Sequence, residues 1–100
     1  MSKWNQNTIT KWAMKTFGSP NDLRTLVSRT MDECFELERA SFEENERALI
    51  SEAADITIFL MQLAEHMGFD LLEQVDDKMD INDEREWDVK GDGTGQHKCE

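Results

Sequence analysis

The sequence contains few of the residues that interrupt or cross-link a chain. Its 100 residues include one proline, five glycines, two cysteines and no tyrosine. The cysteines, Cys34 and Cys99, do not form a CxxC pair, so we expect free thiols in a reducing compartment and therefore a cytoplasmic protein. The sequence also has no cluster of cysteine and histidine that could hold zinc.

Long hydrophobic runs are missing as well. The opening "MSKWNQNTITKW" lacks the apolar segment of a secretory signal, so none is predicted. The most apolar stretch, "ISEAADITIFLMQL" at residues 50–63, contains Glu52, Asp55 and Gln62 and is too short and too polar to cross a bilayer. We therefore expect no membrane association.

Basic residues are scarce relative to acidic ones. The chain has 11 lysines and arginines against 22 acids, a formal net charge of -11, which disfavours nucleic acid as a partner. This charge is compatible with cation binding, with a positively charged protein partner or simply with solubility. With 38% hydrophobic residues, the chain can build one small domain with a thin core, of a kind that a second subunit often completes.

The pattern of apolar residues and breakers predicts four helices and no strands. Residues 1–88 form the expected single helical domain, and residues 89–100 form a glycine-rich tail or lid. The helices are expected from about Thr8 to Phe17, from the N-cap Asn21 to about Ala40, from between Phe42 and Asn45 to Met67, and from the N-cap Asp70 through "LLEQVDDKMDINDEREW".

The third predicted helix is apolar on too many sides for a helix on the surface of a monomer. Two stripes cover most of its circumference: Leu49, Ile56, Leu60, Leu63 and Met67, and Ile50, Ala54, Ile58 and Met61. A four-helix chain of this length can hardly bury both stripes alone. We therefore predict a homo-oligomer.

Two acidic pairs lie on the second and third predicted helices. Glu33 and Glu36 are three residues apart, as are Glu52 and Asp55, so each pair shares a helix face. Antiparallel packing would let the pairs face each other across a groove beside Phe59. The core stripe of the second helix is expected to consist of Leu23, Val27, Thr30, Cys34 and Leu37.

In a chain so rich in acids, this spacing also suits a solvated acidic face. However, Glu52 and Asp55 lie within an apolar segment, and four converging carboxylates repel one another unless they are protonated or bind a cation. Ligands that are all oxygen suit Mg²⁺ or Mn²⁺. The acids therefore predict one or more divalent metal ions.

Three polar residues continue the apolar face of the fourth predicted helix. Lys78, Asn82 and Arg85 follow one another at steps of four and three. They could pair with nearby acids such as Asp77 and Glu84, or they could bind an anion that the metal also holds. Because Mg²⁺ is commonly shared between carboxylates and substrate phosphates, a polyphosphate is the economical choice.

In this order, the motifs resemble those of the MazG-like branch of the all-α nucleoside triphosphate pyrophosphohydrolases. The similar segments are "DECFELERA" for an ExxE motif, "EAADITIFL" for an ExxD motif and "KMDINDEREW" for a basic third motif. "WAMKTFG" and "GDGTGQHK" are also similar to segments of small members. The resemblance implies an all-α fold whose chains form an intersubunit four-helix bundle, as a dimer or a dimer-of-dimers tetramer.

The resemblance also implies Mg²⁺-dependent hydrolysis of a (deoxy)nucleoside triphosphate to the monophosphate and pyrophosphate, as nucleotide-pool housekeeping. The implied residues are Glu33, Glu36, Glu52 and Asp55 for the metal, with Glu33 and Glu36 as catalytic candidates, and Lys78, Asn82 and Arg85 for the substrate. Phe59 could stack on the base or belong to the core, and Trp12 could wall the pocket.

Two alternatives to this function stay open at the level of sequence. One is a non-enzymatic acidic helical module that occupies a basic partner. The other is an enzyme of the same superfamily that acts on dUTP or phosphoribosyl-ATP.

Overall fold

A computed structural model describes residues 2–98 as four helices followed by a short hairpin. In chain order the elements are α1 (Gln6–Phe17), α2 (Leu23–Phe42), α3 (Glu46–Met67), α4 (Leu71–Glu84), β1 (Trp87–Val89) and β2 (Gly95–His97). The expected all-α class and the number of helices are confirmed. None of the helices in residues 2–98 combines the length and the hydropathy that a bilayer span requires.

Each helix begins at a side chain that accepts a hydrogen bond from its exposed first turn. Asp70 caps α4, as expected from the sequence, and Asn45, at the end of the range expected for the start of the third helix, caps α3. For α2 the expected cap Asn21 is wrong. The adjacent Asp22 caps the helix, because its Oδ1 accepts the Thr25 backbone N–H at 2.9 Å, which satisfies a donor that has no intrahelical partner.

The central helix of the chain is α3, which packs against α1, α2 and α4. The three-residue link between α2 and α3 makes these two helices an antiparallel hairpin. The buried apolar residues in the described part of the chain are few, and most of them are alanines: Ala13, Leu26, Ala40 and Ala64. As the composition indicates, the core within residues 2–98 is thin.

The face of α2 that packs on α3 differs from the expected core stripe. Leu23, Val27 and Cys34 were expected in the core but are exposed. The less exposed residues are Leu26, Thr30, Glu33, Leu37 and Ala40. These residues recur at steps of four and three, so the helix is rotated to bring Glu33 towards the interface with α3 and to leave its bulkier apolar flank outside.

Large apolar side chains on several helices have no cover within this chain. Phe35 is 65% exposed, Phe42 is 81% exposed, and Ile50 on α3 is 69% exposed. Isolated exposed apolar residues are ordinary, but bulky ones on both helices of one hairpin form a surface that a partner could cover. The homo-oligomer stays a prediction.

Gln6 connects the start of α1 to the corner between α3 and α4. Its Nε2 donates to Glu65 Oε1 at 2.9 Å and to the Phe69 carbonyl at 2.6 Å, and its Oε1 accepts the Leu71 N–H at 2.9 Å. Asn7 Nδ2 donates to Glu65 Oε2 at 2.8 Å. The hydrogen bonds from Asn7 and then from Gln6 hold the pKa of Glu65 below its usual value. The α1 helix is thereby anchored at its first turn.

The hairpin after α4 corrects the expectation that the chain has no strands. The strands β1 and β2 pair antiparallel, with Trp87 opposite His97. In the turn, Gly91 and Gly93 adopt φ of 87° and 93°, and Asp92 Oδ1 accepts the Thr94 N–H at 2.9 Å. Such short strands are too brief to show an alternating pattern, but glycines at positive φ are what this turn requires.

A hydrogen bond joins the hairpin to the end of α4. The helix ends at Glu84, and Trp87, which was expected in the helix, lies in β1 and donates its Nε1 hydrogen to the Asn82 carbonyl at 2.9 Å. The hairpin therefore begins two residues before the expected boundary at residue 89, and the division into domain and tail stays a prediction. Cys34 is an exposed free thiol, and Cys99 lies outside the described residues.

Candidate metal and nucleotide site

The hairpin of α2 and α3 brings three acids together. Glu33 on α2 and Glu52 and Asp55 on α3 each offer a carboxylate oxygen, and these oxygens lie within 4.8 Å of one another. Glu33 and Glu52 are half-buried, whereas Asp55 is exposed. We refer to Glu33, Glu52 and Asp55 as the acidic cluster.

The fourth predicted ligand, Glu36, lies outside this cluster. It is exposed, and its Oε2 is 3.8 Å from Arg39 Nη1 on the same helix. Its charge nevertheless contributes to the electrostatic environment of Glu52. Glu36 therefore lies at the rim of the cluster, one helical turn from Glu33.

Glu52 is the acid whose environment most disfavours a free negative charge. Its Oε2 is buried and accepts no hydrogen bond from any group in residues 2–98. The pKa of Glu52 is raised, first because its protonated form can share a hydrogen bond with the Glu33 carboxylate. Burial and then the charges of Glu33, Asp55 and Glu36 raise it further. Either a proton or a bound cation would relieve this repulsion.

The chemistry of the acidic cluster suits a hard cation. All the ligand atoms that it offers are carboxylate oxygens, which Mg²⁺ and Mn²⁺ accept readily. Glu52 Oε2, which accepts no hydrogen bond, would gain a partner by binding such an ion. The residues present therefore fit a divalent metal ion.

Arg29 is a site residue that the motifs did not indicate. Its Nη1 lies 2.9 Å from Asp32 Oδ2, its Nη2 lies 3.4 Å from Glu33 Oε1, and its guanidinium lies over the Phe59 ring at 5.5 Å from the centroid. The four-residue spacing from Arg29 to Glu33 on a helix was the available signal. Arg29 thus supplies positive charge at the edge of the acidic cluster.

A cavity of about 380 Å³ opens beside Arg29. It lies between the end of α1, the link to α2, the first turns of α2 and the middle of α3, and the residues on its walls include Phe17, Pro20, Thr25, Arg29, Phe59 and Gln62. Its volume is within the range of small-molecule sites. We refer to it as the Phe59 cavity.

Phe59 and Trp12, the two aromatic candidates for base binding, lie in different places. Phe59 is half-buried on the wall of the Phe59 cavity. Trp12 lines a separate groove with Trp4, Ile9 and Ile58. The Trp12 ring packs edge-on against the Phe17 ring, at 5.5 Å between centroids. Phe17 lines the Phe59 cavity, whereas Trp12 lies behind it and does not line the cavity.

The basic residues of α4 are not brought to the acidic cluster within one chain. Lys78 is exposed in a shallow groove with Val75 and Ile81, and Asn82 and Arg85 are half-buried near the end of the helix. Among residues 2–98, neither Lys78 nor Arg85 makes an ion pair. Pairing with Asp77 or Glu84 therefore does not account for them.

A comparison with known proteins finds one relative that is similar in sequence. The chain is 34% identical over 92 residues to a protein from Salmonella phage PMBT28 named dATP/dGTP diphosphohydrolase. The match covers 92% of this chain but 30% of that relative, so the chain spans less than a third of its length. Neither a family model nor a solved structure matches the chain.

Proposed function

We propose that this chain, which resembles the MazG-like nucleotide pyrophosphohydrolases, hydrolyses deoxynucleoside triphosphates, and its similarity to a protein named dATP/dGTP diphosphohydrolase supports this proposal. The products are the monophosphate and pyrophosphate, and the reaction depends on Mg²⁺, with Mn²⁺ as a substitute. Because the relative is named for dATP and dGTP, these two nucleotides are the first candidate substrates.

The observation that carries the proposal is the buried oxygen of Glu52, which has no hydrogen-bond partner among three crowded acids. A non-enzymatic acidic module would act through exposed acids and would leave this oxygen unexplained. A metal site accounts for it directly. In the proposed site Glu33, Glu52 and Asp55 hold the metal ion. When bound, the ion would polarise phosphoryl oxygens and lower the pKa of a water molecule.

The remaining residues receive roles from their positions. Glu36 lies at the rim and outside the acidic cluster, where only an exposed ion pair with Arg39 holds it, so its carboxylate is the one assigned to accept the proton of the attacking water. Glu33, the other catalytic candidate, is a metal ligand in this arrangement. Arg29 faces the cluster and supplies positive charge to the triphosphate, where developing negative charge in the transition state is stabilised most.

The α4 residues Lys78, Asn82 and Arg85 join the site in a homo-oligomer. Two chains pair through the exposed apolar flanks of α2 and α3 to form an intersubunit four-helix bundle, as a dimer or a dimer of dimers. In this assembly the basic face of α4 approaches the phosphates of the substrate. The exposed Phe35 and Ile50 support this arrangement, because a bundle interface would cover them.

A nucleotide screen tests the proposal. Purified protein with Mg²⁺ is incubated with each canonical deoxynucleoside triphosphate, with dUTP and with phosphoribosyl-ATP, and pyrophosphate and phosphate are measured separately. We expect pyrophosphate from dATP or dGTP, and no turnover by Glu52→Gln. Glu38→Gln, an exposed acid on α2, is the matched control and should retain activity. Folded protein that releases no pyrophosphate from any nucleotide would exclude the enzyme.

A further inference from the structure

A buried amide lines the Phe59 cavity without a partner. Gln62 on α3 is 7% exposed and borders the cavity. Among the side-chain hydrogen bonds in residues 2–98 none involves Gln62, and its amide is not among the fully buried polar groups that lack a partner, so its polar atoms open to the cavity. Buried amides are nearly always hydrogen-bonded, so the donor and the acceptor of Gln62 are open to pair with water or with a ligand in the cavity.

Gln62 lies on the same face of α3 as the acidic cluster. Asp55, Phe59 and Gln62 follow one another at steps of four and three residues. Seven residues of α-helix rise by about 10 Å, which is comparable with the span from the phosphates of a nucleotide to the far edge of its base. A nucleotide whose phosphates lie at the acidic cluster would therefore place its base at Gln62.

The amide group matches the edges of both purines. It presents a donor and an acceptor side by side, and adenine presents an amino donor beside a ring-nitrogen acceptor, which glutamine binds through two hydrogen bonds. Guanine presents the reverse order, with O6 as acceptor and N1–H as donor. Rotation of the terminal amide by half a turn exchanges its own donor and acceptor, so one glutamine can bind either purine.

The wall next to Gln62 offers a surface on which a flat base can stack. The Phe59 ring lies one helical turn from Gln62, and the Arg29 guanidinium lies over that ring. Aromatic rings and guanidinium planes both stack on bases, and neither distinguishes one base from another. Stacking on the Arg29 guanidinium, which lies over the Phe59 ring, would hold the base, and hydrogen bonds at Gln62 would fix the orientation of its edge.

We propose that Gln62 is a substrate-positioning residue of the site and that it binds the hydrogen-bonding edge of the base, a purine in dATP or dGTP, in the Phe59 cavity. This inference rests on the proposed function, which supplies the nucleotide. Gln62 is not catalytic, because it lies away from the acidic cluster.

Side-chain amide resonances in ¹⁵N-labelled protein test this proposal without metal, phosphate or turnover. The Gln62 signal is identified by its loss in Gln62→Met, and the protein is titrated with 2′-deoxyadenosine, 2′-deoxyguanosine and purine 2′-deoxyriboside, which lacks an exocyclic group. We expect the first two nucleosides to shift the Gln62 signal. The third should bind roughly tenfold to a hundredfold more weakly, because one hydrogen bond of the pair is lost.

Two results would overturn the inference. One is binding that shifts the backbone amide signal of Thr25, on the same cavity wall, and leaves the Gln62 side-chain signal unmoved. The other is the absence of any shift at the highest soluble nucleoside concentration. If Gln62 responds but no nucleotide is hydrolysed, the proposed enzyme is wrong and base recognition stands. If nucleotides are hydrolysed but the Gln62 signal does not respond, the proposed enzyme stands and base recognition by Gln62 is wrong.

Kinetics of two variants provide a second readout. Gln62→Met keeps the length of the side chain and removes both hydrogen bonds, and Gln62→Glu keeps an acceptor and removes the donor, so it serves if the first variant does not fold. For dATP and dGTP we expect KM to rise by roughly tenfold to a hundredfold while kcat changes less, because the contact is the same in ground and transition states. An equal loss in kcat at unchanged KM would contradict a role in base binding.

Discussion

The acidic cluster predicts a stability that depends on both Mg²⁺ and pH. Without metal, repulsion among Glu33, Glu52 and Asp55 opposes folding, and the raised pKa of Glu52 gives the sign of the effect. The native state binds the Glu52 proton more tightly than the unfolded state does. This contribution to stability is therefore present below the ordinary pKa of 4.5 and is lost as pH rises through the higher pKa of the folded protein.

At neutral pH, Mg²⁺ should restore the stability that is lost when Glu52 is deprotonated. At a hundredfold excess over Kd, binding to the native state alone adds about 2.7 kcal/mol. Since about 1 kcal/mol shifts the Tm of a small domain by roughly 4–8 °C, Mg²⁺ should raise Tm by on the order of 10–20 °C. At pH values below the raised pKa of Glu52 the rise should shrink, because protons compete for the same carboxylates.

The perturbation is Glu52→Gln, which keeps the shape of the side chain and removes its charge. Without metal at pH 7.5, Tm should rise relative to wild type, because one of three repelling charges is gone. The response to Mg²⁺ should fall sharply, and Asp55→Asn should reduce it as well. Thermal melts followed by circular dichroism over a Mg²⁺ series, with Glu38→Gln as the control, measure both effects.

Two outcomes would refute this reasoning. If millimolar Mg²⁺ and Mn²⁺ leave the wild-type melt unchanged, the acidic cluster does not bind metal. If Glu52→Gln responds to Mg²⁺ as strongly as wild type does, the buried oxygen is not a ligand.

Three further predictions concern assembly, the substrate and the anchoring of α1. Sedimentation should give a mass at least twice that of the 11.6 kDa chain, and Ile50→Glu, which places a charge on the exposed flank of α3, should lower it; a wild-type monomer at micromolar concentration would contradict the oligomer. Lys78→Ala should lower kcat/KM by roughly tenfold to a thousandfold in steady-state assays, and unchanged kinetics would remove α4 from the site. Gln6→Ala should lower Tm more at pH 7 than at pH 3. The pKa of Glu65 is depressed in the folded protein, so the stability that its hydrogen bonds contribute is present above its ordinary pKa of 4.5 and is lost as pH falls through the folded value. Equal losses of Tm at both pH values would show that the hydrogen bond from Gln6 to Glu65 adds nothing.

The limits of the helices were largely readable from the sequence. The first and third helices end at Phe17 and Met67, as expected, each followed by a glycine cap, and Asp70 caps α4. These features depend on hydrogen bonds and backbone angles within a few residues, so a short window of sequence contains the information. The one misplaced cap, Asn21 for Asp22, is an error of a single residue between two side chains that can both accept the bond.

The spacing of the acids was also readable, because residues three apart on a helix always share a face. That Glu33 would meet Glu52 and Asp55 followed from the short link between α2 and α3, which makes the helices antiparallel. That Glu36 would lie outside the cluster did not follow. Both residues of the ExxE pair satisfy the same spacing, and only the rotation of α2 against α3 separates them.

The tertiary structure alone decided which polar groups lose water. Gln62 reads in the sequence as a polar break in an apolar run, yet it is more buried than its neighbour Leu63. Its burial depends on the end of α1 and the start of α2, which are distant along the chain and form the walls of the Phe59 cavity. Arg29 likewise becomes a site residue only because α2 packs beside Phe59. Helical periodicity specifies the angle of each side chain about its own axis, and the packing of separate helices determines what that side chain meets.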